Sequence, residues 1–258
     1  MTGIVLGDNQ YGKAETRLVR VDRNENGHEV TDLNVTTTLS GDLAATHLTG
    51  DNAGVLPTDT QKNMVYAFAR DGVGDIEDFA LRLARHFVDT VGTIHRARVH
   101  IDQYAWRRRA HHSFVREAGT GTTTVTYDGD KATVVSGVDG LVFMNTTGSE
   151  FHGFHKDEYT TLPETDDRIL ATAVNARWRY ARPENEDWAG TNKFATHSLF
   201  NAFAETHSLS LQQTLYAMGE RVLREHEELV EVRLSLPNKH HFLAVSYTHL
   251  TLPTILRV

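Results

Sequence analysis

The sequence predicts an α+β fold in which one order of elements occurs twice. Three observations predict it. Runs rich in Val, Thr and Leu sit between turn residues in both halves of the chain. Each half also holds a pair of helix candidates, the clearest with apolar residues three and four positions apart, the spacing of one helix face. Both halves set their strands and helices in the same order, and 258 residues accommodate two units of about 130 each. No residue-level identity between the halves accompanies that order.

The elements follow along the chain. Val19 to Val21 and Glu29 to Thr37 read as strands around the turn-prone Asn24-Glu25-Asn26-Gly27. After the polar loop Thr49 to Asn52, Thr58 and Gln61 have capping-box spacing, which predicts a helix from Thr58, as its N-cap, to Arg70. A second helix is expected over Asp75 to Val91. Its residues Ile76, Phe79, Ala80, Leu83, Phe87 and Val91 share one face, and acidic residues crowd its first turn. Ile94 to Arg107 and Ser113 to Tyr127 read as long strands. Asp128-Gly129 is a hairpin turn, with Lys131 to Asn145 as the returning strand. Asn175 to Tyr180 is the next strand, Asn192 to Glu205 and Ser208 to Glu225 are helices, and Val230 to Leu236 is the last strand. The expected division is residues 1–128 and 129–258.

Composition narrows the function classes. A net charge of −8 argues against a nucleic-acid partner, since phosphate neutralisation needs clustered cations. The short run Arg107-Arg108-Arg109 reads as a solvated strand edge or an interface patch. With no cysteine there is no disulfide, no thiolate metal site and no Cys nucleophile. The first residues lack the apolar core of a secretory signal, and no apolar run reaches the length of a membrane span. The ending Leu256-Arg257-Val258 is not a peroxisomal address, so a cytoplasmic protein with no membrane partner is expected. The 15 histidines include His111-His112, His240-His241 and His152 with His155. Neighbours on a strand point apart and no HExxH pair occurs, so no metal site is expected.

Several motifs carry a family resemblance. They are Tyr11-Gly12-Lys13, Thr58 to Asn63, His111 to Arg116, Thr147 to Phe154, Tyr159 to Leu162, Asp167 to Leu170, Leu211 to Thr214, and Leu236 to Phe242. Each alone is weak, but together, in order and spacing, the chain resembles the urate oxidase (uricase) family up to about Phe242. The resemblance implies two tandem tunnelling-fold (T-fold) domains, each an antiparallel sheet with helices on one face. It implies a homotetramer around a central tunnel, with active sites between subunits. The implied reaction joins urate, O2 and water to give 5-hydroxyisourate and hydrogen peroxide, with no metal or organic cofactor.

The residue types suit that chemistry. Urate is a flat, electron-rich anion. Arg168 offers a planar fork of donors, Gln212 an amide that donates and accepts, and Phe151 a stacking face. In the resemblance, Lys13, Thr58 and His240 match a catalytic proton relay, and Asn238 matches the residue that holds oxygen or water above the ring. A Lys beside a hydroxyl acts as a base when its pKa is lowered, and a His shuttles protons near neutrality. Alternation along a strand puts Asn238 and His240 on one face and Lys239 on the other. The backbone of Asp59 and Leu211 and the side chain of Leu162 match further urate contacts, and a helix start at Thr58 would present N–H groups to an anion. Lys13 and Thr58 come from one subunit in the family and the rest from its neighbour.

Two other readings stand beside this one. Another T-fold enzyme acting on a purine or pterin shares flat substrates, although a cyclohydrolase type needs Cys ligands that the chain lacks. An assembly-only homologue is the other. Residues 244–258 do not resemble the family's ending, so the second domain is expected to be incomplete, less stable or less fully assembled, with an open sheet edge.

Overall fold

The computed structural model describes residues 3–185 and 187–241. The expectation for residues 244–258 lies outside the described residues. β1 (Tyr11–Asn24) and β2 (Gly27–Gly41) form a hairpin. Gly27 turns it at φ 120°, where a Cβ would also collide with the Arg108 guanidinium. A short helix α1 (Ala44–Leu48) precedes α2 (Thr58–Arg70) and α3 (Ile76–Thr90). β3 (Ile94–Gln103) follows, then a small hairpin of β4 (Trp106–Ala110) and β5 (Ser113–Arg116). β6 (Thr120–Tyr127), β7 (Ala132–Asn145) and β8 (Leu170–Tyr180) come next. α4 (Trp188–Glu205), α5 (Leu211–Glu225) and β9 (Leu229–Ser235) complete the described elements.

The main sheet has seven strands in the order β1-β2-β3-β6-β7-β8-β9, and every neighbouring pair is antiparallel. The sheets expected for the two halves are therefore joined edge to edge. The joint is the β6–β7 hairpin, whose turn is tied by Asp128 accepting from the N–H groups of Asp130 and Lys131. Alternation sets which face is covered. Leu33, Val35 and Leu39 of β2, Val99 and Ile101 of β3, and Val174, Ala176 and Trp178 of β8 are buried, and they belong to one cluster with Val65, Phe79, Phe87, Leu199, Phe203 and Met218 of the long helices. The four long helices thus cover one face of the sheet.

A buried polar knot crosses the joint between halves. Glu77 of α3 is 1% exposed and accepts from Ser136 of β7 and, at 2.9 Å, from Asn192 of α4. Tyr180 and Trp178 both donate to the Asn192 carbonyl, and Trp188 donates to Asp78. Burial pushes the Glu77 carboxyl above its usual range, against the hydrogen bonds from Ser136 and Asn192.

Several boundaries differ from the sequence reading. The strand expected over Ile94 to Arg107 breaks after Gln103, and the one over Ser113 to Tyr127 breaks after Arg116, because the chain leaves the main sheet to form the β4–β5 hairpin. Thr58 is not the N-cap of α2. That position is Pro57, and no side chain caps the helix. α4 starts at Trp188 rather than Asn192, because Asp187 caps it by accepting from the Gly190 N–H at 2.7 Å. β9 ends at Ser235, and Pro237 interrupts the strand before Asn238. No described helix is long and apolar enough to cross a membrane.

Candidate active site

The expected site residues fall into two groups. The first is at the start of β1 and α2. The Tyr11 hydroxyl donates to the Leu56 carbonyl and accepts from the Leu56 N–H, both at 2.9 Å, tying β1 to the segment before α2. Gln61, fully buried, accepts from the Thr37 hydroxyl at 2.8 Å and donates to the Leu56 carbonyl at 3.2 Å. These contacts place Lys13, paired with Thr37 across the β1–β2 ladder, beside the N-terminus of α2. Just beyond Lys13 the ladder slips, with Glu15 at φ 55°. Such bulges re-aim side chains at sheet edges.

Thr58 and Asp59 are the first two residues of α2, and both are exposed. The helix has no side-chain cap, so the N–H groups of its first turn are offered outward with the positive end of the helix dipole. Asp59 pairs with Lys62 and accepts from Asn63 at 3.0 Å. Lys62 holds the Asp59 carboxyl below its usual range, and the Lys13 charge adds to the shift. Lys13 is therefore within electrostatic reach of the helix start.

The second group is strung along one seam. Ser149 bridges to Ser208, and Phe151 bridges to Thr165. The Arg168 N–H donates to the Ser149 carbonyl at 2.8 Å, and Arg168 Nε donates to the Ser149 hydroxyl at 3.2 Å. Ser149 itself is fully buried. The Arg168 guanidinium lies 5.0 Å from the centre of the Phe151 ring. Among the described residues no carboxylate pairs with it, and burial lowers its pKa from an ordinary value so high that the group stays cationic. Ser208 leads to α5, where Leu211 is half-buried and Gln212 exposed in the first turn. The Asn238 backbone bridges to Thr172 at the start of β8, and the Lys239 N–H donates to the Ala171 carbonyl at 2.8 Å. His240 is exposed just beyond. Leu162, 55% exposed, sits in the loop between Phe151 and Thr165.

The structure thus brings Phe151, Arg168, Leu211, Gln212 and Asn238 onto connected segments, and Lys13, Thr58 and Asp59 onto another. β1 and β8 are five strand positions apart in the sheet, on the order of 24 Å along it at about 4.8 Å per position. Sequence reasoning missed three supports. Ser149 anchors Arg168, Gln61 locks α2 to β2, and Phe154 stacks on Phe151 at 4.9 Å and 13°. All three lie inside the motifs quoted above, but nothing in their spacing separates a support from a ligand.

Comparison with known proteins identifies the family and the fold. The family model for uricase matches residues 9–132 and 134–251, so the likeness runs past Phe242, where it was expected to fail. The uricase of Arthrobacter globiformis is 52% identical over 245 residues, covering 94% of this chain and 81% of that protein. The uricase of Dictyostelium discoideum is 40% identical over 92% of this chain and 86% of its own length. The crystal structure of the Arthrobacter globiformis uricase superposes with a TM-score of 0.91 at 51% identity, covering 95% of this chain and 86% of that one. Urate oxidase from Bacillus sp. TB-90 superposes at 0.78 with 25% identity, covering 89% and 88%. The fold is α+β of the T-fold kind, and the chain belongs to the uricase family.

Proposed function

We propose that this chain is a urate oxidase, turning urate, O2 and water into 5-hydroxyisourate and hydrogen peroxide with electrons drawn from urate itself. The observation that carries this reading is Arg168: a half-buried guanidinium with no carboxylate partner among the described residues, held by Ser149 over the Phe151 ring. A flat anion takes its place opposite that fork, and the Gln212 amide reads the same edge. The uncapped start of α2 offers the Thr58 and Asp59 N–H groups to the opposite side of the ring system. Lys13, Thr58 and His240 pass the proton that leaves urate, and Asn238 positions oxygen or water over the ring. Leu162 and Leu211 border the substrate.

Because Lys13 and Arg168 belong to opposite regions of one sheet, each site is completed by a second subunit, within a homotetramer. The units that assemble are two T-fold domains, residues 1–128 and 129–258. Oxygen uptake with urate, in buffer containing a strong chelator, tests the reaction. Uptake with equimolar peroxide supports it, and no uptake by a folded chain favours an assembly-only homologue. Mixing tests the shared site. Lys13→Met and Arg168→Ala homomers, each strongly impaired, should regain about one quarter of the sites when unfolded and refolded together as two-fold pairs. No recovery overturns the shared site.

A further inference from the structure

Outside the residues assigned above, the side chains of Glu150, His152, Asp166 and His207 form one linked cluster. His152 Nε2 lies 2.9 Å from an Asp166 oxygen and 3.5 Å from a Glu150 oxygen. The other Glu150 oxygen is 3.0 Å from His207 Nε2. The ligand atoms of Glu150, His152 and Asp166 all lie within 4.8 Å of one another. Carboxylate oxygen and imidazole nitrogen are ligands that zinc takes, with bonds of about 2.0–2.2 Å. Ligands on a tetrahedral ion with such bonds stand about 3.3 Å apart. The two spacings around His152 fall on either side of that value. His207 orients Glu150 from outside the cluster, as partners of metal-bound carboxylates do.

We infer that Glu150, His152 and Asp166 form a site for a divalent transition ion of the zinc class, which clamps the substrate-binding segments of this chain. Its ligands and their support lie on those segments. Glu150 and His152 flank Phe151, Asp166 stands two residues before Arg168, and His207 leads into the start of α5. An ion there locks the arrangement in which Phe154 supports the Phe151 ring. Zinc therefore favours urate binding. This clamp rests on the urate reading above; the ion site does not.

The test is calorimetric titration of the chelator-stripped full chain with zinc chloride, without urate. His152→Asn should bind one fewer ion per chain, or bind it more weakly by more than the about tenfold that loss of an orienting partner costs. His155→Asn, a change at an exposed histidine outside the cluster, should match the parent. Glu150→Gln is the second variant if His152→Asn fails to fold. Identical titrations for parent and cluster variants, or equal loss in His155→Asn, overturn the site. Zinc should then lower the KM for urate at least about threefold in the parent and not in His152→Asn, with kcat changed less. Zinc binding with an unmoved KM overturns the clamp. If the chain proves unable to oxidise urate, the titration still decides the ion site.

Discussion

The starts of α2 and α5 carry the same pattern and use it differently. Each has a hydroxyl residue followed three positions later by glutamine: Thr58 with Gln61, and Ser210 with Gln213. At α5 the pattern works as a cap. Ser210 accepts from the Gln213 N–H at 3.2 Å, and the Gln213 side chain accepts from the Leu209 N–H at 2.8 Å. At α2 the N-cap is Pro57, which has no N–H to donate, so the buried glutamine engages Thr37 and the Leu56 carbonyl instead, and Thr58 sits inside the helix. α3 repeats the second case. Its first turn is acidic, which reads as a dipole signal, yet Glu77 is drawn into the core by Ser136 and Asn192. Capping patterns compete with tertiary partners for the same side chain. Where the tertiary partner wins, the helix end is left without a side-chain cap.

The largest effect expected separates the two helix starts by function. Arg168→Ala, at the α5 side, should lower kcat/KM for urate about 100-fold with the fold intact, and Lys should not restore it because it lacks the planar fork. Loss of under about threefold would remove Arg168 from the site. Next is Gln61→Met, which keeps volume but leaves the Thr37 hydroxyl unmatched, at a cost of about 1–3 kcal/mol in urea unfolding. A neutral result would mean that α2 is not locked by this residue. Ser210→Ala should lose about 1 kcal/mol with its cap. Thr58→Ala should stay within about 0.5 kcal/mol of the parent while slowing turnover. A loss equal to that of Ser210→Ala would break the comparison, and unchanged turnover would end the relay role of Thr58.

Glu77 sharpens the contrast through pH. Its folded pKa is raised above the unfolded value. Its contribution to stability is therefore fully present below the ordinary carboxylate range and is lost as pH rises through the raised value. Urea midpoints should show that fall in the parent, and Glu77→Gln should flatten it. An unchanged pH profile in the variant would assign the slope to another group.

Legibility followed sequence distance. α3 and the Asp128-Gly129 hairpin were readable because their signals are local, whereas α2 was placed by a capping pattern that does not cap it. β1 was read only at Val19 to Val21 because it is an edge strand, where Thr16 alone is buried and charged residues interrupt the apolar ones. The exit of β4–β5 depends on pairings that no local pattern encodes, whereas the joining of both halves into one sheet runs through the Asp128-Gly129 hairpin itself. In the proposed site, the sequence suggested residue types but not their supports. That Ser149 holds Arg168 is a contact across 19 positions, made through a buried hydroxyl that looks in sequence like any loop serine.

The strand count has a consequence for how activity responds to dilution. On the proposed reading, a chain whose two half-sites stand apart on one sheet holds no complete site alone, however well it folds. Turnover per chain then follows mass action. It should fall as protein is diluted through the association constant, while the circular dichroism of each chain stays unchanged. In such an enzyme a concentration gradient across the cell is itself a gradient of specific activity.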